Sequence, residues 1–321
     1  MQAVSNQKAS RALRKRPTGV FALGWACIES AASGRTEHRP TSADYPDSVV
    51  RRVNFAAGGG WPWRISALTS PRPSPAPWRI VVITGSPSWA EYWAPAIAAL
   101  PRDREMIVVD RPGFAGSEPA ECVPQIEVQA QALSPLLAPV RGQNILLVGQ
   151  SYGASVATLM AATATRPVQV LALISSYLGE PGPTARLLVA TGSKVLNLIP
   201  RDLRNAVVEI SGQGAQMPMV RDALMSVRAP IHLIHGDQDD LAPIDAARRL
   251  ADAMAAKVPI RLQCVEGANH FLNDGPVETL LGALEACIPR PPARPTWRWP
   301  TWLAPLKAKP LATLGPVTAR A

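Results

Sequence analysis

The stretch Ile145-Leu146-Leu147-Val148-Gly149-Gln150-Ser151-Tyr152-Gly153-Ala154 decides the fold. Ile145 to Val148 is a continuous apolar, branched run bounded by a glycine, and it reads as a strand buried on both faces. Ala154 to Ala164 is rich in small apolar residues and reads as a helix. Between them the chain must turn sharply and lift Ser151 above the end of the strand. Such a turn crowds the positions two before and two after the serine. Gly149 and Gly153 occupy them, and Ala154 keeps the helix start small. A serine hydroxyl is a poor nucleophile unless it is held in place and relieved of its proton. The N-terminus of the following helix favours the negative charge that attack would develop.

Working outward, short apolar runs alternate with longer Ala/Leu-rich stretches from Trp78 onward. Ile80–Ile83, Met106–Val109, Val170–Ile174 and Ile231–Ile234 read as further buried strands, with Ile260–Val265 as a sixth. Trp93–Leu100, Gln125–Leu137, Ala154–Ala164, Asp245–Ala256 and Val277–Cys287 read as the helices between and after them. This alternation predicts an α/β fold with a mostly parallel central sheet and helices on both faces. Val49–Leu68 reads as a hairpin turning at Gly58-Gly59-Gly60. Pro71 to Pro77 must be an extended loop, with four prolines in seven residues. The connection from Ser176 to Ala229 is too long for a simple crossover. It predicts a helical cap or lid over about 177–229, inserted between late strands. Residues 48–289 thus form the folded domain. Residues 1–47 read as a disordered leader, and 290–321 as a basic tail rich in Pro and Trp.

A serine nucleophile needs a base, and the chain has four histidines: His38, His232, His235 and His270. His38 lies in the leader and His232 inside a strand. His270 lies in a loop just after the last strand, and loops at the carboxyl ends of parallel strands are where catalysis collects. It is the expected base. The base needs an orienting carboxylate, and after Ile231–Ile234 three acids compete: Asp237, Asp239 and Asp240.

Gly149-Gln150-Ser151-Tyr152-Gly153, set between strand and helix, resembles the nucleophile elbow of the α/β-hydrolases. Asp110-Arg111-Pro112-Gly113-Phe114-Ala115-Gly116-Ser117 resembles that family's D-x-P-G-x-G-x-S loop, a structural turn near the site. The resemblance covers about residues 49–287. Its pattern G-x-x-D-x-x-x-P maps onto Gly236, Asp239 and Pro243, and so implies Asp239 as the orienter, leaving Asp237 and Asp240 to cap a helix or face solvent. The chain order Ser151, Asp239, His270 is the order of this fold. The resemblance implies an oxyanion hole from the backbone N–H groups of Tyr152 and Ser86. The loop carrying Ser86 reads Thr84-Gly85 where the family usually has His-Gly, which removes a common brace. Trp89, Tyr92 and Trp93 either line an apolar substrate pocket, Trp89 foremost, or pack the first helix on the sheet. The function implied is a hydrolase acting through an acyl-enzyme on a small carboxylic ester. The alternative is a carbon–carbon bond hydrolase or cofactor-free haloperoxidase of the same fold; the non-enzyme alternative is a catalytically silent binding protein. Dehalogenase and the usual epoxide hydrolase chemistry are disfavoured, because the enzymes concerned carry Asp at the position of Ser151.

The bulk numbers constrain the remainder. The chain has 321 residues, 47% hydrophobic, and a net charge of +9. Residues 1–47 carry seven Lys/Arg and four acids, residues 290–321 six Lys/Arg and no acid, so the basicity sits on the ends. That argues against nucleic-acid binding by the central domain and leaves contact between the basic tail and a membrane surface open. Cys27, Cys122, Cys264 and Cys287 have no zinc or C-x-x-C spacing and read as free thiols. No metal or organic cofactor is implied. The partner expected is a small-molecule substrate, an apolar ester, with Met217 and Met219 of the cap segment pointing to an apolar acyl or alkyl group. A cytoplasmic location is expected. The alternative is export or membrane anchoring through the basic and apolar order at residues 11–34, which resembles a secretory signal.

Overall fold

A computed structural model describes residues 40–289 apart from 74, 139, 141, 179, 273 and 274. The basic and apolar segment at 11–34, Cys27, His38 and the tail from 290 lie outside the described residues. Eight strands form one sheet: β1 (Arg51–Ala56), β2 (Arg64–Thr69), β3 (Trp78–Ile83), β4 (Arg104–Val109), β5 (Asn144–Gln150), β6 (Val170–Ile174), β7 (Ile231–Gly236) and β8 (Ile260–Val265). Their order across the sheet is β1-β2-β4-β3-β5-β6-β7-β8. β2 pairs antiparallel with β1 and β4, and every other pair is parallel.

The apolar runs are continuous because alternate residues serve different cores. Val81, Ile83, Leu147, Leu171 and Leu173 face one layer with helices α2 (Ile126–Leu133), α3 (Gly153–Thr163), α6 (Met217–Ser226) and α7 (Ile244–Met254). Ile80, Val82, Leu146, Val148, Val170 and Ala172 face the other, with α1 (Ala94–Ala98) and α8 (Val277–Cys287). Proline trims two of the expected helices. Pro95 sits in the first turn of α1, so the segment begins as a 3-10 turn at Ala90–Trp93. Pro135 ends α2 and leaves a 3-10 turn over Ser134–Leu137.

The cap comprises α4 (Pro183–Gly192), α5 (Arg201–Gln213) and α6, between β6 and β7. α5 carries the polar groups that fasten it down. Asn205 Nδ2 donates to Gly113 O at 2.6 Å, and Gln213 Nε2 donates to Ser155 Oγ at 2.8 Å. Met217 is buried in the core layer beside α3, and Met219 packs on the same cluster. The described fold also includes contacts made ahead of residue 48. Residues 40–47, read as leader, carry a 3-10 turn at Ser42–Asp44, and the Ser42 N–H and hydroxyl both donate to the Glu91 carboxylate, at 2.7 and 2.9 Å.

Candidate active site

Ser151 sits where β5 turns into α3, with φ at 52° in the left-handed region. A non-glycine residue there costs about 1–2 kcal/mol, so the surroundings must hold it. The Ser151 N–H donates to Ile174 O at 2.9 Å, and its C=O accepts from Ala154 N at 3.0 Å and Tyr177 N at 3.3 Å. The flanking glycines are required by space. A Cβ on Gly149 would lie 2.6 Å from Ala154 Cα, and one on Gly153 would lie 2.3 Å from Ile83 O.

Two loops at the same edge of the sheet deliver the other groups. Asp239 follows β7 and His270 follows β8. His270 Nε2 stands 2.9 Å from Ser151 Oγ, and its Nδ1 stands 2.8 Å from Asp239 Oδ2. The carboxylate can only accept at Nδ1, which places the histidine proton there and leaves Nε2 free to accept from the serine hydroxyl. Asp239 Oδ1 accepts from the N–H groups of Leu241 at 3.0 Å and Ala242 at 2.8 Å. Burial alone would raise the Asp239 carboxyl. Hydrogen bonds from His235, His270 and the Ala242 N–H outweigh it and hold the group well below the usual carboxylate range. Asp237 and Asp240 are exposed and turn elsewhere: Asp237 accepts from Gly267 N at 2.8 Å, and Asp240 from Thr184 Oγ1 at 2.9 Å.

The loop after β3 passes against the serine, such that a Cβ on Gly85 would lie 3.0 Å from Ser151 Cβ. The backbone N–H groups of Ser86 and Tyr152 find no acceptor among the described residues. Thr84, standing where the resembling enzymes have histidine, donates from Oγ1 to Val109 O at 2.9 Å and pairs with Ser88 Oγ. Trp89 donates its indole N–H to Asp202 of α5 at 2.6 Å, which makes it a tie between the cap and the core. Trp93 is fully buried, donating to Gln150 Oε1 at 3.1 Å, whereas Tyr92 is partly exposed at the edge of Trp89.

Three residues that sequence reasoning missed surround this site. His235, fully buried at the end of β7, places Nε2 3.0 Å from Asp239 Oδ2 and 2.6 Å from Ala242 O. Arg111 and Glu209 form an ion pair at 2.7 Å in which both side chains are fully buried. His235 immediately precedes the Gly236 of a motif already in hand, which was a usable signal. Arg111 falls at an unspecified position of the resembling loop pattern, and Glu209 lies in a cap whose pairing no local pattern reveals.

The sheet order and the serine at the β5–α3 turn define the class as an α/β-hydrolase. The chain belongs to the alpha/beta hydrolase family, whose sequence profile matches residues 80–283. It is 25% identical to the 2-hydroxy-6-oxononadienedioate/2-hydroxy-6-oxononatrienedioate hydrolase 2 of Pseudomonas putida, over 53% of this chain and 74% of that protein. Among solved structures it resembles the N-formylmaleamic acid deformylase of P. putida S16, with a TM-score of 0.58, 17% identity, and coverage of 73% of this chain and 99% of that one. It also resembles the 2-hydroxy-6-oxo-6-phenylhexa-2,4-dienoate hydrolase of Rhodococcus sp. strain RHA1, with a TM-score of 0.56, 16% identity, and coverage of 74% and 98%. The protein is therefore a hydrolase of this family, and small molecules are the substrates of its relatives. Among the described residues no helix is long and apolar enough to cross a membrane.

Proposed function

We propose that the protein hydrolyses a small molecule at a carbonyl carbon, with Ser151 as nucleophile, His270 as base and Asp239 as its orienter. The observation that carries this is the unbroken chain of contacts from Ser151 Oγ to His270 Nε2 and from His270 Nδ1 to Asp239. Ser151 Oγ adds to the carbonyl while its proton passes to His270 Nε2. The oxyanion is received by the N–H groups of Ser86 and Tyr152. Collapse expels the leaving group, which takes the proton from His270, and water then releases the acyl group by the same route.

The leaving group we favour is carbon, the alternative to the ester anticipated from sequence. The curated relative is named for a 2-hydroxy-6-oxo-dienedioate. Such a molecule has no ester or amide bond, so its hydrolysis has to break a carbon–carbon bond. Carbon can leave once the dienoate has moved its 2-hydroxyl proton to C5, because the electron pair of the broken C5–C6 bond then passes through the C3=C4 double bond to the 2-oxo group and is held as a dienolate. Arg111 is already committed to Glu209, so it is not a free cation for a substrate carboxylate.

The test is steady-state hydrolysis of a 2-hydroxy-6-oxo-hexa-2,4-dienoate series, followed by loss of the dienolate absorbance, beside p-nitrophenyl esters of rising acyl length. The proposal predicts turnover of the dienoates with higher kcat/KM than the esters. Ester turnover with no dienoate cleavage would return the reading to an esterase.

A further inference from the structure

The peptide expected to receive the oxyanion has two ends, and the structure shows what grips the far one. Arg111 Nη2 donates to Gly85 O at 2.8 Å, and Arg111 Nε donates to Thr84 O at 2.9 Å. The Gly85 carbonyl belongs to the same planar unit as the Ser86 N–H. That unit is trans, so its two dipoles point in opposite directions and pinning one aims the other. A hydrogen bond accepted at the carbonyl also polarises the N–H of the same unit.

The guanidinium is itself held on every side. Nη1 and Nη2 reach Glu209 Oε1 and Oε2 at 2.7 and 2.8 Å, a bidentate pairing, and Nη1 also donates to Gln129 Oε1 at 2.6 Å. Its plane lies over the ring of Phe114 at 4.9 Å and of Tyr152 at 4.7 Å. Tyr152 is the residue expected to supply the other oxyanion donor. Glu209 closes the circuit from the cap, because its Oε2 also accepts from Ser86 Oγ at 2.7 Å.

We propose that Arg111 is a positioning residue that aims the Ser86 N–H at the oxyanion, and that Glu209 makes this aim conditional on docking of cap helix α5. The proposal rests on the assignment of Ser151 as nucleophile. It answers the missing family histidine: where Thr84 stands, the brace of the loop comes from Arg111 across the sheet edge. Lysine could not replace it, since one ammonium cannot reach Thr84 O, Gly85 O, Gln129 and Glu209 together.

The experiment compares the full-length wild type with the double substitution Arg111→Met/Glu209→Met and with Arg111→Lys. The double substitution removes both buried charges at once and leaves none unpaired. Arg111→Lys keeps the charge balance. The readouts are the rate of labelling at Ser151 by a fluorophosphonate probe, kcat and KM for p-nitrophenyl acetate, and thermal unfolding, with rates expressed per folded molecule. We expect both variants to label about 10- to 100-fold more slowly, with kcat reduced by the same factor and KM within about twofold. A folded variant that labels within twofold of wild type overturns the proposal, as does a loss confined to KM or one proportional to the unfolded fraction. Should the double substitution not fold, Arg111→Lys decides by the same criteria. Failure of the underlying reading looks different: the wild type then does not label, or labels at a residue other than Ser151.

Discussion

Replacing Asp239 by Asn exchanges one carboxylate oxygen for an NH2 group and should disable the site. Asp239 Oδ1 is held by the Leu241 and Ala242 N–H groups, so the single oxygen of an Asn side chain stays there. The Asn NH2 group then occupies the Oδ2 position and faces His270 Nδ1 and His235 Nε2, both of which now point N–H groups at it. His270 must move its proton to Nε2 to avoid the donor–donor clash, and Nε2 can no longer take the serine proton. The expected loss is about 10³- to 10⁴-fold in kcat, or about 4–5.5 kcal/mol of transition-state stabilisation. The assay is hydrolysis of an activated ester by the variant, with circular dichroism to show that the fold persists. Activity within tenfold of wild type in a folded Asp239→Asn protein would refute the reasoning.

The same carboxylate predicts an acid-sensitive term in stability. Its folded-state pKa is depressed by its hydrogen bonds relative to the unfolded chain. Its contribution is therefore fully present above the unfolded carboxylate range, about pH 4, and is lost as pH falls through the folded value. Wild-type Tm should fall more steeply below pH 4 than that of Asp239→Asn, and parallel curves would count against this assignment. Asp237→Asn should cost less than about threefold in kcat, since Asp237 is exposed and its partner there is the Gly267 N–H; a larger loss than Asp239→Asn would reverse the assignment of the acid. Gly153→Ala should destabilise by at least about 3 kcal/mol in urea titrations, because its Cβ would lie 2.3 Å from Ile83 O and 2.4 Å from Thr84 O, which are backbone atoms that cannot step aside. Glu209→Ala leaves a fully buried Arg111 without its counter-charge and should cost about 3–5 kcal/mol by the same measurement.

The sheet was legible because a strand buried on both faces leaves a continuous apolar run, as at Ile80–Ile83 and Val170–Ile174. Ser151 and His270 stood out as candidates because each follows the end of such a run, whereas Asp239 was singled out from three neighbouring acids only by the resemblance to the family pattern; the structure brings the three side chains into contact. Helix ends at Ala94 and Leu133 were less so, since single prolines convert a turn or two to 3-10 geometry without disturbing the apolar pattern. The Arg111–Glu209 pair was hidden for a different reason. Its partners lie 98 residues apart, one of them in a cap with no repeating pattern, and only the docked fold shows that both charges are buried and satisfied. Trp89 reads from sequence either as a pocket wall or as packing for the first helix; that its indole N–H reaches Asp202 of the cap was hidden because the two residues are far apart in the chain.

The central claim is that Ser151 is the nucleophile, and it is tested most directly by covalent capture. Wild-type protein treated with a fluorophosphonate should gain one adduct, located by peptide mass spectrometry at Ser151, and Ser151→Ala should gain none while keeping its fold. An adduct that persists in folded Ser151→Ala, or one mapped to another residue of the wild type, would contradict the account.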